Sequence, residues 1–115
     1  MIPPKYLYHG TSFDYIDQIE QEGLKPVTYD KVFLTADYFT AYEYAKYRIR
    51  TAECNAFLPI ICVVDALSMY EDGFVFTEGC SYQEYTITKV PSYYIETFMI
   101  TNEYDLEALA HYAQE

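Results

Sequence analysis

The sequence predicts an α+β fold, and three observations carry that reading. A helix-period segment runs from Phe13 to a glycine at Gly23. The run FLPIICVVDA is continuously apolar and short, as a buried strand is. After it come three β-rich segments bounded by turn residues, GFVFT, QEYTIT and SYYIETFMI. Helices and strands alternate at first and strands then crowd together, which indicates a largely antiparallel second half.

In chain order, residues 5–9 alternate and are aromatic enough for a strand. Ser12 is a good N-cap for a helix over 13–22, with Phe13, Ile16 and Ile19 on one face. Gly23 suits a left-handed cap, and Leu24 after it is placed to contact Ile19 in a Schellman arrangement. A short strand follows at 31–36. The segment 38–53 reads as a helix with Ala41, Tyr44, Ala45 and Ile49 inward. The apolar strand at 57–66 starts near Pro59, which cannot donate to a central ladder. Strands at 73–77 and 83–88 flank EGCSY, and a last strand at 92–100 follows Pro91. A terminal helix is expected over 102–113, with Leu106, Leu109, Ala110 and Ala113 inside and His111 at its surface or end. No repeat, low-complexity tract or linker divides the chain, so one domain over 1–115 is expected.

A chain of 115 residues, 51% of them hydrophobic, can bury a core without disulfides or metals. The cysteines, Cys54, Cys62 and Cys80, are odd in number and lack CxxC spacing, which fits free thiols in a reducing cytoplasm. No basic-then-apolar leader opens the sequence and no apolar run reaches transmembrane length, so neither a signal peptide nor a membrane partner is expected. Lys and Arg total 7 against 18 Asp and Glu, a net charge of −11. Such a surface repels phosphate backbones and disfavours free nucleic acid as a partner; a basic protein surface suits it better. The 15 tyrosines pack as half-buried sheet residues and also suit a flat ligand.

Metal chemistry has little support, since 2 histidines and 3 scattered cysteines give no ligand spacing. The 4 glycines stand singly, so no phosphate loop is present. Two places remain. His9 ends a strand and precedes Gly10, Thr11 and Ser12, where a glycine backbone, two hydroxyls and a helix start converge. A satisfied structural histidine would also fit there. Glu84 lies within an expected strand, facing either solvent or a cleft.

Together, LYHGTSFDYIDQIEQEGLKP, VFLTADYFTAYEYA and QEYTITKVPSYYI resemble the ADP-ribosyltransferase fold family from Leu7 to Ile95. The nearest likeness is to the branch holding the poly(ADP-ribose) polymerases, the DarT-type toxins and the RNA 2′-phosphotransferases. The resemblance implies a split antiparallel sheet with flanking helices, and NAD as substrate. His9 would bond a ribose hydroxyl, Gly10 would clamp the nicotinamide amide through its backbone, and Tyr44 would stack on the nicotinamide ring. Tyr38 and Tyr42 are rivals for that ring. Phe33 would border the pocket, and Thr11, Thr35 and Tyr38 would complete the NAD-binding set. Glu84 would be the catalytic carboxylate of a His9, Tyr44, Glu84 triad, and its loss would cost roughly 10²–10³ in rate.

The first expectation is therefore a compact mono-ADP-ribosyltransferase, a glycosyltransferase of the effector kind. It would act on a macromolecular acceptor, protein more than nucleic acid, with release of nicotinamide. An RNA 2′-phosphotransferase-like enzyme is an alternative, needing a basic pocket from Lys5, Lys46, Arg48 and Arg50; those two arginines are the only ones in the chain. A non-catalytic acidic module on the same fold and a plain NAD glycohydrolase are the others.

Overall fold

A computed structural model describes residues 2–26, 30–51, 59–80 and 83–100. The expected terminal helix, His111 and Cys54 lie outside the described residues. Strand β1 (Tyr6–Ser12) pairs antiparallel with β3 (Pro59–Asp65), which pairs antiparallel with β6 (Ile95–Ile100). A second sheet holds β2 (Val32–Leu34), β5 (Tyr85–Ile87) and β4 (Thr77–Glu78), again antiparallel. One bridge joins the sheets: Tyr8 and Thr35 exchange backbone bonds at 2.8 and 3.0 Å. The α+β class and the split sheet follow from this arrangement.

Strand β3 is buried along its whole length, as its unbroken apolar run requires, with Pro59 at its first position. Cys62 on it is fully buried, and burial pushes its thiol up to about 12, so it is a core residue and not a nucleophile. Leu7, Leu34, Val64, Met69, Phe76 and Val90 pack in the same core.

Helix α2 (Tyr38–Thr51) lies across β1 and β3. Asp37 starts it, its carboxylate accepting from the Phe39 N–H at 3.0 Å and the Thr40 hydroxyl at 3.0 Å. Ala41 and Ala45 are buried as expected; Ile49 lies outside the described side chains. The close approach is set by Gly10. A Cβ there would sit 2.1 Å from the Ala41 carbonyl oxygen and 2.8 Å from the Ala45 nitrogen. Helix packing thus accounts for this glycine apart from any ligand.

The segment 13–22 differs from a single helix. Residues 13–15 form a 3₁₀ turn and α1 covers Ile16–Glu22. Ser12 caps as expected, accepting from the Asp14 N–H. The tighter turn rotates Phe13 outward, leaving it exposed while Ile19 is buried. Gly23 has φ 76° and its N–H bonds the Ile19 carbonyl, but no Schellman pair closes. Leu24 instead leaves the helix and exchanges backbone bonds with Val90 at 2.8 and 2.9 Å.

Other boundaries shift too. A short helix α3 (Ala66–Glu71), unforeseen in the sequence, is capped by Asp65, which accepts from the Ser68 N–H. Residues 73–76 are not strand, because Gly73 turns the chain at φ 99° before β4. A 3₁₀ turn over 92–94 precedes β6.

Candidate functional site

A cavity of about 290 Å³ opens beside β1. His9 and Thr11 reach it from β1, Val32 and Phe33 from β2, and Tyr44 from α2. Ile19, Gly23 and Leu24 supply the other wall, with Tyr15 and Gln18. Thr11, Ile19, Gly23, Leu24 and Val32 are buried and form its floor, whereas Tyr15, Gln18, Lys25 and Lys31 are exposed at its rim. The volume is at the small end for a ligand site, so it suits part of a dinucleotide with the remainder lying over the rim.

Strand alternation places His9 here. Tyr8 and Gly10 face α2, and Leu7, His9 and Thr11 point to the opposite face. The His9 Nδ1 lies 2.9 Å from the Phe33 carbonyl oxygen. A carbonyl only accepts, so Nδ1 carries the hydrogen, and whenever the ring is neutral Nε2 is its acceptor. That fixes both the plane and the tautomer of the ring, as a group that binds a hydroxyl requires.

The three tyrosines of α2 that compete for the nicotinamide ring part company. Tyr44 is half-buried and lines the cavity. Tyr42 is in the core at 3% exposure beside Ala41 and Ile61. Tyr38 packs edge-on against Tyr8 at 5.7 Å and against Phe39 at 6.1 Å. Successive helix positions differ by about 100°, which is why one of the three can reach the cleft while another is in the core.

Other expected residues lie outside the lining. Gly10 is one, although the direction of its backbone is telling. Tyr8 points its N–H and C=O at Thr35, and strand alternation turns those of Gly10 to the same side, where β2 lies. Thr35 is fully buried and its groups are used locally: its hydroxyl accepts from the Asp37 N–H at 3.1 Å, and its backbone pairs with Tyr8. Glu84 is exposed and stands just before β5, not inside it. Its carboxylate accepts from the Ala36 N–H at 3.4 Å, beside the start of α2, where helix polarity favours negative charge. Of the two faces left open for the Glu84 side of this strand, solvent and cleft, the solvent one does not hold for Thr86, which is buried and meets the Thr77 hydroxyl at 2.6 Å.

The basic groups are placed unlike the expected set. Lys5 bonds Asp65 at 3.1 Å, and neither residue lines the cavity. Lys46 lies 3.9 Å from Glu43 and over the Tyr42 ring. The side chains of Arg48 and Arg50 lie outside the described ones. Lys25 and Lys31 are at the cavity instead. Lys25 bonds Glu22 at 3.2 Å, and together with Gln18 it holds the Glu22 carboxyl below its usual range. Sequence reasoning missed Lys25, Lys31, Tyr15 and Gln18. The available signal was that both lysines flank the loop joining α1 to β2.

Fold and site together define an α+β domain with a split antiparallel sheet and an aromatic, lysine-rimmed cleft centred on a histidine of fixed tautomer. Its curated relatives carry the name "Probable RNA 2′-phosphotransferase". The protein of that name from Pectobacterium carotovorum subsp. carotovorum is 32% identical over 96 residues, covering 84% of this chain and 47% of its own. That from Streptomyces coelicolor is 39% identical over 74 residues, covering 64% and 36%. That from Acetivibrio thermocellus is 32% identical over 93 residues, covering 81% and 47%. The chain thus spans between about a third and a half of the length of these relatives. No protein-family profile matches it. The relatives' name sets RNA against the expectation that nucleic acid is disfavoured, and it gives a protein acceptor no support. Among the described residues no helix is long and apolar enough to cross a membrane, and no cluster of metal-ligating side chains occurs.

Proposed function

We propose that this domain binds NAD in the cavity and transfers its ADP-ribosyl unit to the 2′-phosphate of an RNA. The observation that carries the reading is one cleft that joins a fixed histidine and three aromatic rings to a pair of lysines. Aromatic walls suit the nicotinamide, a hydroxyl-binding histidine suits the ribose, and cationic heads at the rim suit phosphates. The relatives' name supports the RNA phosphate as acceptor.

In this reading Tyr44 and Phe33 hold the nicotinamide ring, and Nε2 of His9 accepts from a ribose hydroxyl. A phosphate oxygen attacks C1 of that ribose while the bond to the nicotinamide nitrogen breaks, and nicotinamide leaves with the electron pair. Positive charge develops on the sugar, as in glycosidic cleavage. Release of RNA then needs its P–O bond to break: the neighbouring ribose 2-hydroxyl is the nearest nucleophile, its oxygen bonds phosphorus, and its proton passes to the departing RNA 2′-oxygen. The products are RNA with a free 2′-hydroxyl and a cyclic phosphate on ADP-ribose. The attacking phosphate is already anionic, so the first step needs no base to deprotonate it. A carboxylate outside the cavity, as Glu84 is, is compatible with that.

The second reading is mono-ADP-ribosyl transfer to a protein. The net charge of −11 favours it, since a basic protein surface would dock where an RNA backbone is repelled. Incubating the purified chain with NAD and a 2′-phosphorylated oligoribonucleotide separates the two. The RNA reading expects nicotinamide release to require the oligonucleotide, and the oligonucleotide to lose its phosphate. Nicotinamide release with labelled ADP-ribose appearing on protein would overturn it.

A further inference from the structure

We infer that the rim of the cavity carries a phosphate subsite built by Lys25 and Lys31. Which phosphate it takes rests on the NAD reading above; the anion preference itself does not. In a chain of net charge −11, two cationic side chains meet at one cleft. Lys5 and Lys46 do not compete for that role, being placed against Asp65 and Glu43. Neither rim lysine is committed to a strong partner. Lys25 holds Glu22 in an exposed pair, which is a weak interaction, and Lys31 meets the neutral Thr77 hydroxyl at 3.4 Å. A phosphate offers each a stronger, charge-assisted bond.

The two backbones are set in advance. Lys25 follows Leu24, which is fixed to Val90 by two backbone bonds, and Lys31 precedes Val32, which pairs with Ile87. Their aliphatic stems can lie along the apolar wall of Leu24 and Val32 while the ammonium groups stay in water. A doubly charged or bridging group such as a pyrophosphate is what two lysines lining one rim are suited to hold.

The direct probe is inorganic pyrophosphate, titrated calorimetrically into the full chain and into Lys25→Gln, Lys31→Gln, the double variant and Lys5→Gln, which lies away from the cavity. Coincident thermal melts establish that all are folded. Each rim substitution is expected to weaken pyrophosphate by about tenfold and the double variant by more, with Lys5→Gln unchanged. Equal affinity across the series overturns the subsite. The source follows from three further titrations, with NAD, nicotinamide riboside and a 2′-phosphorylated oligoribonucleotide. Loss confined to NAD, with the riboside unaffected, assigns the subsite to the dinucleotide; loss confined to the oligonucleotide assigns it to the acceptor. Lysine-dependent pyrophosphate binding in a chain that binds neither NAD nor the riboside would leave the subsite standing and sink the NAD reading. NAD binding that survives in the double variant, with pyrophosphate unaffected, would do the reverse.

Discussion

The cavity beside β1 and the groove beside α3 share one small protein and carry opposite chemistry. The cavity is walled by Ile19, Leu24, Phe33 and Tyr44 and rimmed by two lysines. The groove is lined by Asp65, Glu71, Asp72 and Glu96 with Ser68 and two tyrosines, and among the described residues by no basic one. Net charge is a sum over both and describes neither. The acidic total argues against a phosphate-bearing partner, yet the described cleft with the histidine is where cationic groups gather. A small cationic patch can bind phosphate on an acidic protein because exposed charges more than about 10 Å away are largely screened at physiological salt.

The sharpest way to break this contrast is at His9. On the proposed reading His9→Ala should lower nicotinamide release by about 10²–10³ and weaken NAD binding, because the oriented imidazole that would accept from the ribose hydroxyl is lost. Glu96→Gln in the groove should leave both unchanged. Release lost in Glu96→Gln and kept in His9→Ala would mean that the groove, and not the cavity, holds the substrate.

Next in size are the glycines of the two regions. Gly10→Ala drives a methyl into the Ala41 carbonyl at 2.1 Å, so β1 and α2 must separate. We expect a loss of about 3 kcal/mol in urea unfolding, with the cavity wall displaced. Gly73, beside the groove, has open space around its missing Cβ and only its φ of 99° to lose. Gly73→Ala should cost about 1 kcal/mol. A smaller cost at Gly10 than at Gly73 would show that the helix–strand contact is looser than its geometry indicates.

Smaller again is Glu84→Gln. Held at the Ala36 N–H outside the cavity, Glu84 should matter less than tenfold when the acceptor is a phosphate. A loss of 10²–10³ would restore it as the catalytic carboxylate and favour a hydroxyl or protein acceptor.

These contrasts also mark what the sequence made legible. The His9 corner was readable because a strand, a glycine and the Ser12 cap are local signals, and β3 because its apolar run is unbroken. Alternation and helical phase constrained His9 and Tyr44, although only tertiary packing distinguished Tyr44 from Tyr42. Three things were not readable. Helix α3 is only six residues long and depends on the Asp65 cap formed where β3 ends. The tight contact at Gly10 is between residues 31 or more positions apart, so a close-packing glycine looks the same as a ligand-binding one. Lys25 and Lys31 read as ordinary surface charge until α1 and β2 turn them to one rim.

The least of the expected effects is in pH dependence, and it still divides the two regions. Asp65 is pushed up by burial, but bonds from the Ser68 side chain and backbone and from Lys5 outweigh this and leave its carboxyl below the ordinary 3.8. A depressed acid contributes stability above its unfolded value and loses it as pH falls through the folded one. Glu22, paired with Lys25 of the cavity rim, behaves alike, through Lys25 and Gln18. The acid limb is therefore shared by both regions. The alkaline limb is not. Tyr94 donates to Asp72 at 2.6 Å, which with desolvation pushes it up to about 12. Lys5 is raised by its bond to Asp65. Both favour their protonated forms in the fold, so their contribution is complete below the unfolded values near 10 and is lost as pH rises through the folded ones. Melting temperatures against pH should then show Tyr94→Phe flattening the alkaline limb alone. Asp65→Asn should flatten both limbs, because it removes its own titration and the cause of the Lys5 shift. Glu22→Gln should touch only the acid limb. An alkaline limb that survives Tyr94→Phe and Asp65→Asn combined would place the titrating groups outside the groove and end the division by charge.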